Sequence, residues 1–310
     1  MKYCFGVDVG GTTVKLGLFT IEGKLIDKWE IKTITENEGE CILTDIANTI
    51  KDKISEKHLL VGQICGIGVG VPAPVDKNGA IERAANIGWK EKNIKKELEE
   101  LTGLFCVVGN DANVAALGEM WKGAGEGEKD LVMITLGTGV GGGIIIDGHP
   151  INGAHGAGGE IGHITVRDDE VEVCGCGRKG CLEQYASATG IVHLASVYFE
   201  KNTKDSILNN KKITAKDVFD AAKAGDVAAL EITEEFGYYL GQALVNLAAI
   251  IDPAIFVIGG GVSKAGNILL DIVKKYFYEH VFYGNHNTKI ALATLGNDAG
   301  IYGAAKQLLN

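Results

Sequence analysis

An α/β fold built from two similar halves is what this sequence predicts, and three observations predict it. Glycine is abundant (44 of 310 residues) and proline rare (4), so turns fall mostly to glycine. The glycine clusters separate short apolar β-rich runs from longer runs of helical period, the alternation of an α/β protein. The succession of strand, glycine turn, strand and turn near the start recurs at residues 130–148, a weak repeat in pattern more than in identity. Two such halves would face each other across a cleft, and the chain length suits two domains.

The elements follow in order. Residues 3–9, 14–19 and 24–33 read as strands, separated by tight turns at Gly10-Gly11 and Glu22-Gly23. Strands this close together form an antiparallel meander rather than a βαβ unit. Residues 38–54 carry a helical period, with Ile42, Ile46, Ala47 and Ile50 on one face. Residues 64–71 read as a buried strand, 93–102 as a charged helix, 105–109 as a strand and 110–121 as a helix. Then come a strand at 130–136, a glycine loop at 137–143 and a strand at 143–146 closing on Asp147-Gly148. A polar stretch, 202–212, precedes helices at 214–224 and 226–251; Pro253 stops the second, since its ring cannot continue a helix. A buried strand at 254–258, a helix near 268–277, a strand at 289–294 and a helix at 299–309 complete the chain. The expected division is a smaller N-terminal α/β domain, residues 1–109, with the final helix 299–310 packed back on it. Residues 110–298 form the larger C-terminal α/β domain, which carries the cysteine loop.

A formal net charge of -10 argues against a nucleic-acid partner, because a phosphate backbone needs a basic face. No apolar run approaches the roughly 20 residues that span a bilayer, so no membrane is expected. The first residues lack the basic and apolar regions of a secretory signal. Cys4, Cys41, Cys65 and Cys106 are scattered singly, as small buried hydrophobes are in a reducing compartment, and the expected location is cytoplasmic.

The other three cysteines carry chemistry. Cys174, Cys176 and Cys181 lie in one glycine-rich turn, with His163 just upstream, and one His with three Cys closes a tetrahedral Zn²⁺ site. Four protein ligands leave no position for water, so this zinc is structural. Glu160, three residues before His163, and Glu183, two after Cys181, are polar groups suited to gripping a ligand beside that anchor.

Three glycine loops are candidates for a nucleotide. In Asp8-Val9-Gly10-Gly11-Thr12-Thr13-Val14-Lys15 the glycines bring backbone N–H groups close to a ligand, the threonines add hydroxyls, and Asp8 is a carboxylate in reach of a metal. That suits a terminal phosphate with Mg²⁺, with a plain hairpin turn as the alternative. The loop Gly137-Thr138-Gly139 fails the dinucleotide fingerprint, because a strand and not a long helix follows. It can still cradle phosphates, and two such hairpins could hold one polyphosphate. Gly259-Gly260-Gly261 would let an adenine or ribose lie against backbone, or serve only as a strand-to-helix turn. Asp111 follows a buried strand and is either a helix N-cap or a general base at a strand's carboxyl end, with Asn110 as its hydrogen-bonding neighbour.

Together these motifs resemble the ROK family of sugar kinases, over essentially the whole chain. The most specific are Gly159-Glu160-Ile161-Gly162-His163 and the run from Cys174 to Glu183, in that order and spacing. The resemblance implies a two-lobed actin/hexokinase-like (ribonuclease H-like) fold with a nucleotide and sugar cleft. With Asn86-Ile87-Gly88-Trp89 it points to ATP-dependent phosphorylation of the glucose 6-hydroxyl, N-acetylmannosamine, N-acetylglucosamine or another hexose being the alternatives. It implies Asp111 as catalytic base and Asn110, Glu160, His163 and Glu183 as sugar ligands, His163 serving the zinc as well. Gly10, Gly11, Thr12, Thr13 and Lys15, with Gly137, Thr138 and Gly139, would meet phosphate. Gly259, Gly260 and Gly261 would meet adenosine, and Asp8 would position Mg²⁺. A homodimer or homotetramer is expected. A sugar-responsive regulator of the same family would carry an N-terminal helix-turn-helix, for which a phosphate loop starting at residue 8 leaves no room.

Overall fold

The computed structural model describes residues 2–209 and 212–309, so part of the polar stretch 202–212 lies outside the described residues, as does the last residue of 299–310. In chain order the elements begin with β1 (Tyr3–Val9), β2 (Thr13–Thr20), β3 (Leu25–Lys32), α1 (Ile42–Glu56) and β4 (Ile64–Val71). They continue with β5 (Ala80–Ile81), β6 (Lys92–Asn93), α2 (Ile94–Thr102), β7 (Cys106–Asn110), α3 (Asp111–Lys122), β8 (Leu131–Leu136), β9 (Val140–Ile146) and β10 (His149–Pro150). Then follow α4 (Glu183–Ala186), α5 (Ala188–Lys201), α6 (Ala215–Lys223), α7 (Val227–Ile251), β11 (Ile255–Gly259), α8 (Asn267–His280), β12 (Lys289–Leu292) and α9 (Ala299–Lys306). The chain forms two compact units. The first takes the residues up to Lys129, Gly143–Gly159 and the chain from Thr294 onward; the second takes Asp130–Gly142 and Glu160–Ala293.

In the first unit β1, β2 and β3 form the expected antiparallel meander, and β4 and β7 add in parallel, giving the order β3-β2-β1-β4-β7. Phe5, Val7, Leu16, Ile67 and Val69 are buried with Ile42, Ile46 and Ile50 of α1 and Ile94 and Leu98 of α2 in one core. Burying side chains of this size stabilises by about 1.5–3 kcal/mol each. Against the sheet lies α9, so close that a Cβ on Gly6 would sit 1.9 Å from the Ile301 carbonyl oxygen and one on Gly68 1.7 Å from that of Ala304. The contact of α3 with α9 is equally tight: a Cβ on Gly303 would lie 1.6 Å from the Val114 carbonyl oxygen. This packing is why α3 belongs to the first unit, and the division departs from a single cut after residue 109. The carboxylate of Glu119, fully buried on α3, accepts backbone N–H bonds from Ala124 (2.8 Å), Thr294 (3.1 Å) and Leu295 (2.9 Å), tying the returning chain to the same helix.

In the second unit β8, β11 and β12 run parallel, and the order is β9-β8-β11-β12, with β9 leaving the unit at Gly143. Beyond that point β9 pairs with β10 in the first unit. Helix α7 contacts α5, α6 and α8, burying Ile232, Phe236, Leu240 and Leu244, so it is largely an interior helix. It ends at Asp252, in left-handed conformation (φ 51°), directly before Pro253.

Several expectations are corrected. The first helix starts at Ile42 rather than 38, because Asn37 and Glu38 have positive φ (52° and 59°) that no helix continues. The predicted glycine loop 137–143 is shorter, since β9 begins at Val140. Gly143 is in the strand because the backbone lies against α3, where a Cβ would meet the Ala112 carbonyl oxygen at 2.6 Å. Cys41 is exposed at the start of α1 and Cys65 only half-buried, whereas Cys4 and Cys106 are buried as expected. Helix α5 is an element beyond those expected: Ser187 caps it by accepting from Gly190 N, and Ile191, Leu194 and Ala195 are buried at helical spacing. Among the described residues no helix is long and apolar enough to cross a membrane.

Candidate active site

The parallel strands β1, β4 and β7 end at one edge of the first sheet, with Asp8 paired to Gly70 and Val71 to Asn110. Ligands of α/β sheets bind beyond such carboxyl ends. Asn110, not Asp111, is the cap of α3: its Oδ1 accepts from Ala112 N (3.0 Å) and Asn113 N (3.3 Å), and its Nδ2 donates to the Ala73 carbonyl (3.3 Å). Asp111 is therefore the first helical residue, accepting from Ala112 N at 2.8 Å. Asp8 lies against Gly300, whose missing side chain makes room for it: a Cβ there would be 2.6 Å from the Asp8 carboxyl carbon. Burial pushes the Asp8 carboxyl up to about 6; Lys15 pulls it down and Asp111 pushes it further up. Two carboxylates so placed suit a divalent cation, which would relieve their repulsion.

The Gly10–Thr13 turn is tight, with Gly10 N donating to the Thr13 carbonyl at 3.1 Å. Thr33, buried at the end of β3, braces it: its hydroxyl donates to the Gly10 carbonyl at 2.6 Å and its N–H to the Thr12 carbonyl at 2.9 Å. Nothing in the local sequence around Thr33 signals this. Lys15, across β1–β2 from Asp8, donates to the Asn297 carbonyl at 3.2 Å.

The second unit gathers the remaining candidates. In the Gly137–Gly139 loop, Gly137 N donates to the Gly139 carbonyl (2.9 Å), and the start of α5 clasps the loop from outside. Ala188 N donates to the Gly137 carbonyl (2.8 Å) and the Thr189 hydroxyl to that of Thr138 (2.8 Å). Gly260, with φ 83°, presses on the end of β8, where a Cβ would meet backbone atoms of Leu136 at 2.5–2.6 Å. The Gly137–Gly139 and Gly259–Gly261 loops are thus neighbours. Glu183 opens α4 and reaches the same place: its Oε2 accepts from Val140 N at 3.0 Å and would lie 2.1 Å from a Cβ on Gly139.

The ligand atoms of His163, Cys174, Cys176 and Cys181 all lie within 4.8 Å of one another. Cys176 and Cys181 sulfurs are 3.6 Å apart and the Cys174 sulfur is 3.9 Å from His163 Nδ1. A tetrahedron with metal–sulfur bonds of about 2.3 Å has sulfur–sulfur edges of about 3.8 Å, so the donor set and its spacing fit Zn²⁺. Burial raises the Cys174 thiol and pushes Cys181 up to about 12, while the Arg178 N–H draws Cys176 down. Cys174 also donates to Glu183 Oε1 at 3.8 Å, so its sulfur lies between the imidazole and that carboxylate. Glu160, exposed, precedes a 3₁₀ turn over Ile161–His163 in which His163 N donates to the Glu160 carbonyl at 3.1 Å. Two residues missed in the sequence hold this region. Arg178 donates to the His163 carbonyl (3.1 Å) and the Thr165 hydroxyl (2.9 Å), and Gln184 links Cys181 N to the Glu172 carbonyl, both at 3.1 Å.

Two groups thus emerge. Asp8, Gly10–Thr13, Lys15, Asn110 and Asp111 belong to the first unit; Gly137–Gly139, Glu160, His163, Glu183, the cysteines and Gly259–Gly261 belong to the second. Carboxylates at a parallel-strand edge, glycine turns and a polar cluster beside the cysteines are the kinds of group that a phosphoryl-transfer class of protein uses. The ROK family profile matches residues 4–309, and the chain belongs to the ROK family. It is 46% identical over 308 residues to a glucokinase of Halalkalibacterium halodurans, covering 97% of this chain and 93% of the relative. The crystal structure of a ROK family glucokinase from Streptomyces griseus in complex with glucose and AMPPNP matches with TM-score 0.74 and 34% identity over 98% of each chain. A ROK hexokinase structure from Thermus thermophilus matches with TM-score 0.81 and 31% identity, over 98% of this chain and 96% of that one. The α/β, actin/hexokinase-like fold expected from the sequence is the one found.

Proposed function

We propose that this chain is an ATP-dependent hexose kinase that phosphorylates the 6-hydroxyl of glucose. The observation that carries this is the placement of Asp111 on the first residue of α3, relieved of the capping role by Asn110, in a chain 46% identical to a glucokinase. Phosphoryl transfer asks for an in-line nucleophile and for charge stabilisation rather than covalent catalysis. Asp111 takes the proton of the 6-hydroxyl as its oxygen bonds to the terminal phosphorus and the bond to the ADP oxygen breaks. Asn110, Glu160, His163 and Glu183 hydrogen-bond the other sugar hydroxyls, which must all be satisfied once water is excluded. Backbone N–H groups of Gly10–Thr13 and of Gly137–Gly139, with Lys15, meet the phosphates, and Gly259–Gly261 meet the adenosine. Asp8 would hold Mg²⁺, which when bound neutralises phosphate charge. His163, Cys174, Cys176 and Cys181 would hold a structural Zn²⁺, supported by the spacing of the four ligand atoms. A cytoplasmic location is the reading that singly scattered cysteines favour.

The test is a panel of hexoses and 2-acetamido sugars with ATP, read by ADP release. Glucose should lead; a preference of more than about tenfold in kcat/KM for an acetamido sugar would overturn the glucose assignment. Asp111→Ala should cost roughly 10²–10⁴-fold in kcat, the usual worth of a general base, while glucose binding measured by calorimetry persists. Near-normal turnover would remove Asp111 from the mechanism.

A further inference from the structure

The first turn of α3 holds a residue that no role above uses. Asn113 is 2% exposed, and its Nδ2 donates to Asn152 Oδ1 at 3.2 Å. Its own Oδ1 is the buried side-chain polar atom that, among the described residues, has no hydrogen-bond partner. An unpaired buried carbonyl is costly, so packing alone gives no reason for an amide at this position. What it does is hold Asn152. From there the chain makes a loop with a pinched neck, Gly158 N donating to the Asn152 carbonyl at 2.9 Å. Gly153 and Gly156 take left-handed conformations (φ 74° and 73°), and the tip rests on Pro74 and Val75, where a Cβ on Gly156 would meet the Val75 carbonyl at 3.1 Å. With Asn110, Val75 and Arg83, the loop residues Asn152 and His155 line an open groove in the first unit. The chain at the start of α3 therefore presents Asn110 to that groove and, through Asn113, holds Asn152 in its lining. The chain continues from the neck through Gly159 into Glu160.

We propose that Asn113 is a positioning residue for sugar binding: through Asn152 it sets the 152–158 loop against the helix turn that carries Asn110 and Asp111. This rests on the hexose-kinase reading above. Asn113→Leu keeps the branched shape at slightly larger volume and removes the unpaired carbonyl, and Asn152, being exposed, finds water in exchange. The variant should keep or raise Tm, yet raise KM for the sugar about tenfold, with kcat and KM for ATP within about twofold. Amide exchange of residues 153–158 should quicken about tenfold. Asn152→Ala, a surface change that does not threaten folding, should give the same KM shift, and the double variant should be no worse than either. Unchanged KM together with unchanged loop exchange overturns the proposal, as does an additive double variant. If the wild-type protein phosphorylates no hexose, the kinase reading fails instead, and the exchange comparison still decides whether Asn113 fixes the loop.

Discussion

The sharpest consequence of the geometry concerns a single added methyl group, Gly139→Ala. An ideal Cβ at position 139 lies 2.1 Å from Glu183 Oε2 and 3.0 Å from its carboxyl carbon. A carbon and an oxygen need roughly 1 Å more than that closer distance, so one of them must move. The carboxylate is the end of a flexible side chain, while Gly139 does not have the positive φ that would strain alanine. The fold should therefore survive and Glu183 should swing away. That swing breaks the 3.0 Å bond from Val140 N. A hydrogen bond to a charged group is worth about 1.5–3 kcal/mol, which corresponds to roughly ten- to a hundredfold in kcat/KM for glucose. The assay is coupled ADP release with glucose varied, beside a thermal melt. Because Gly139 also belongs to a proposed phosphate loop, the comparison is completed in the Glu183→Ala background. There the methyl group has nothing left to displace and should cost almost nothing. Wild-type kcat/KM in Gly139→Ala, or an equal loss in both backgrounds, refutes the account of Glu183 as a sugar ligand held in place by a glycine.

Two further outcomes are expected. Stripping the metal with a chelator should weaken glucose binding more than nucleotide binding, because Cys174 packs against Glu183 Oε1 and His163; calorimetry with each ligand checks this, and equal losses would mean that the cluster holds the whole unit together. The Asp8 carboxyl, raised from an ordinary 3.8 to about 6, gives the folded protein more bound protons than the unfolded chain between those values, so its ionisation makes stability fall as pH rises through that window. Asp8→Asn should then raise Tm relative to wild type above about pH 6, lose that advantage below about pH 4, and abolish Mg²⁺-dependent turnover; a Tm advantage independent of pH would show that burial does not strain this carboxyl.

Much of this protein is legible in its residues alone because the signals are local. The meander of β1, β2 and β3 follows from strands too close together for a crossover helix, and the convergence of His163, Cys174, Cys176 and Cys181 from a donor set within one short segment. Helix α5 is equally legible in its Ser187 cap and apolar spacing. Other features could not be read, because they depend on atoms far apart in sequence. Which of Asn110 and Asp111 caps α3 is decided by the Ala73 carbonyl that Asn110 also reaches. The place of α3 in the first unit is decided by Gly118 and Gly303, whose meaning appears only when α9, some 180 residues on, lies against them. Thr33 under the Gly10–Thr13 turn and Asn113 under the 152–158 loop belong to the same kind. Composition, period and spacing report what a segment can become and which chemistry it can carry; only close packing of distant backbone, where a single methyl group is forbidden or an amide is left unpaired, decides where that chemistry points.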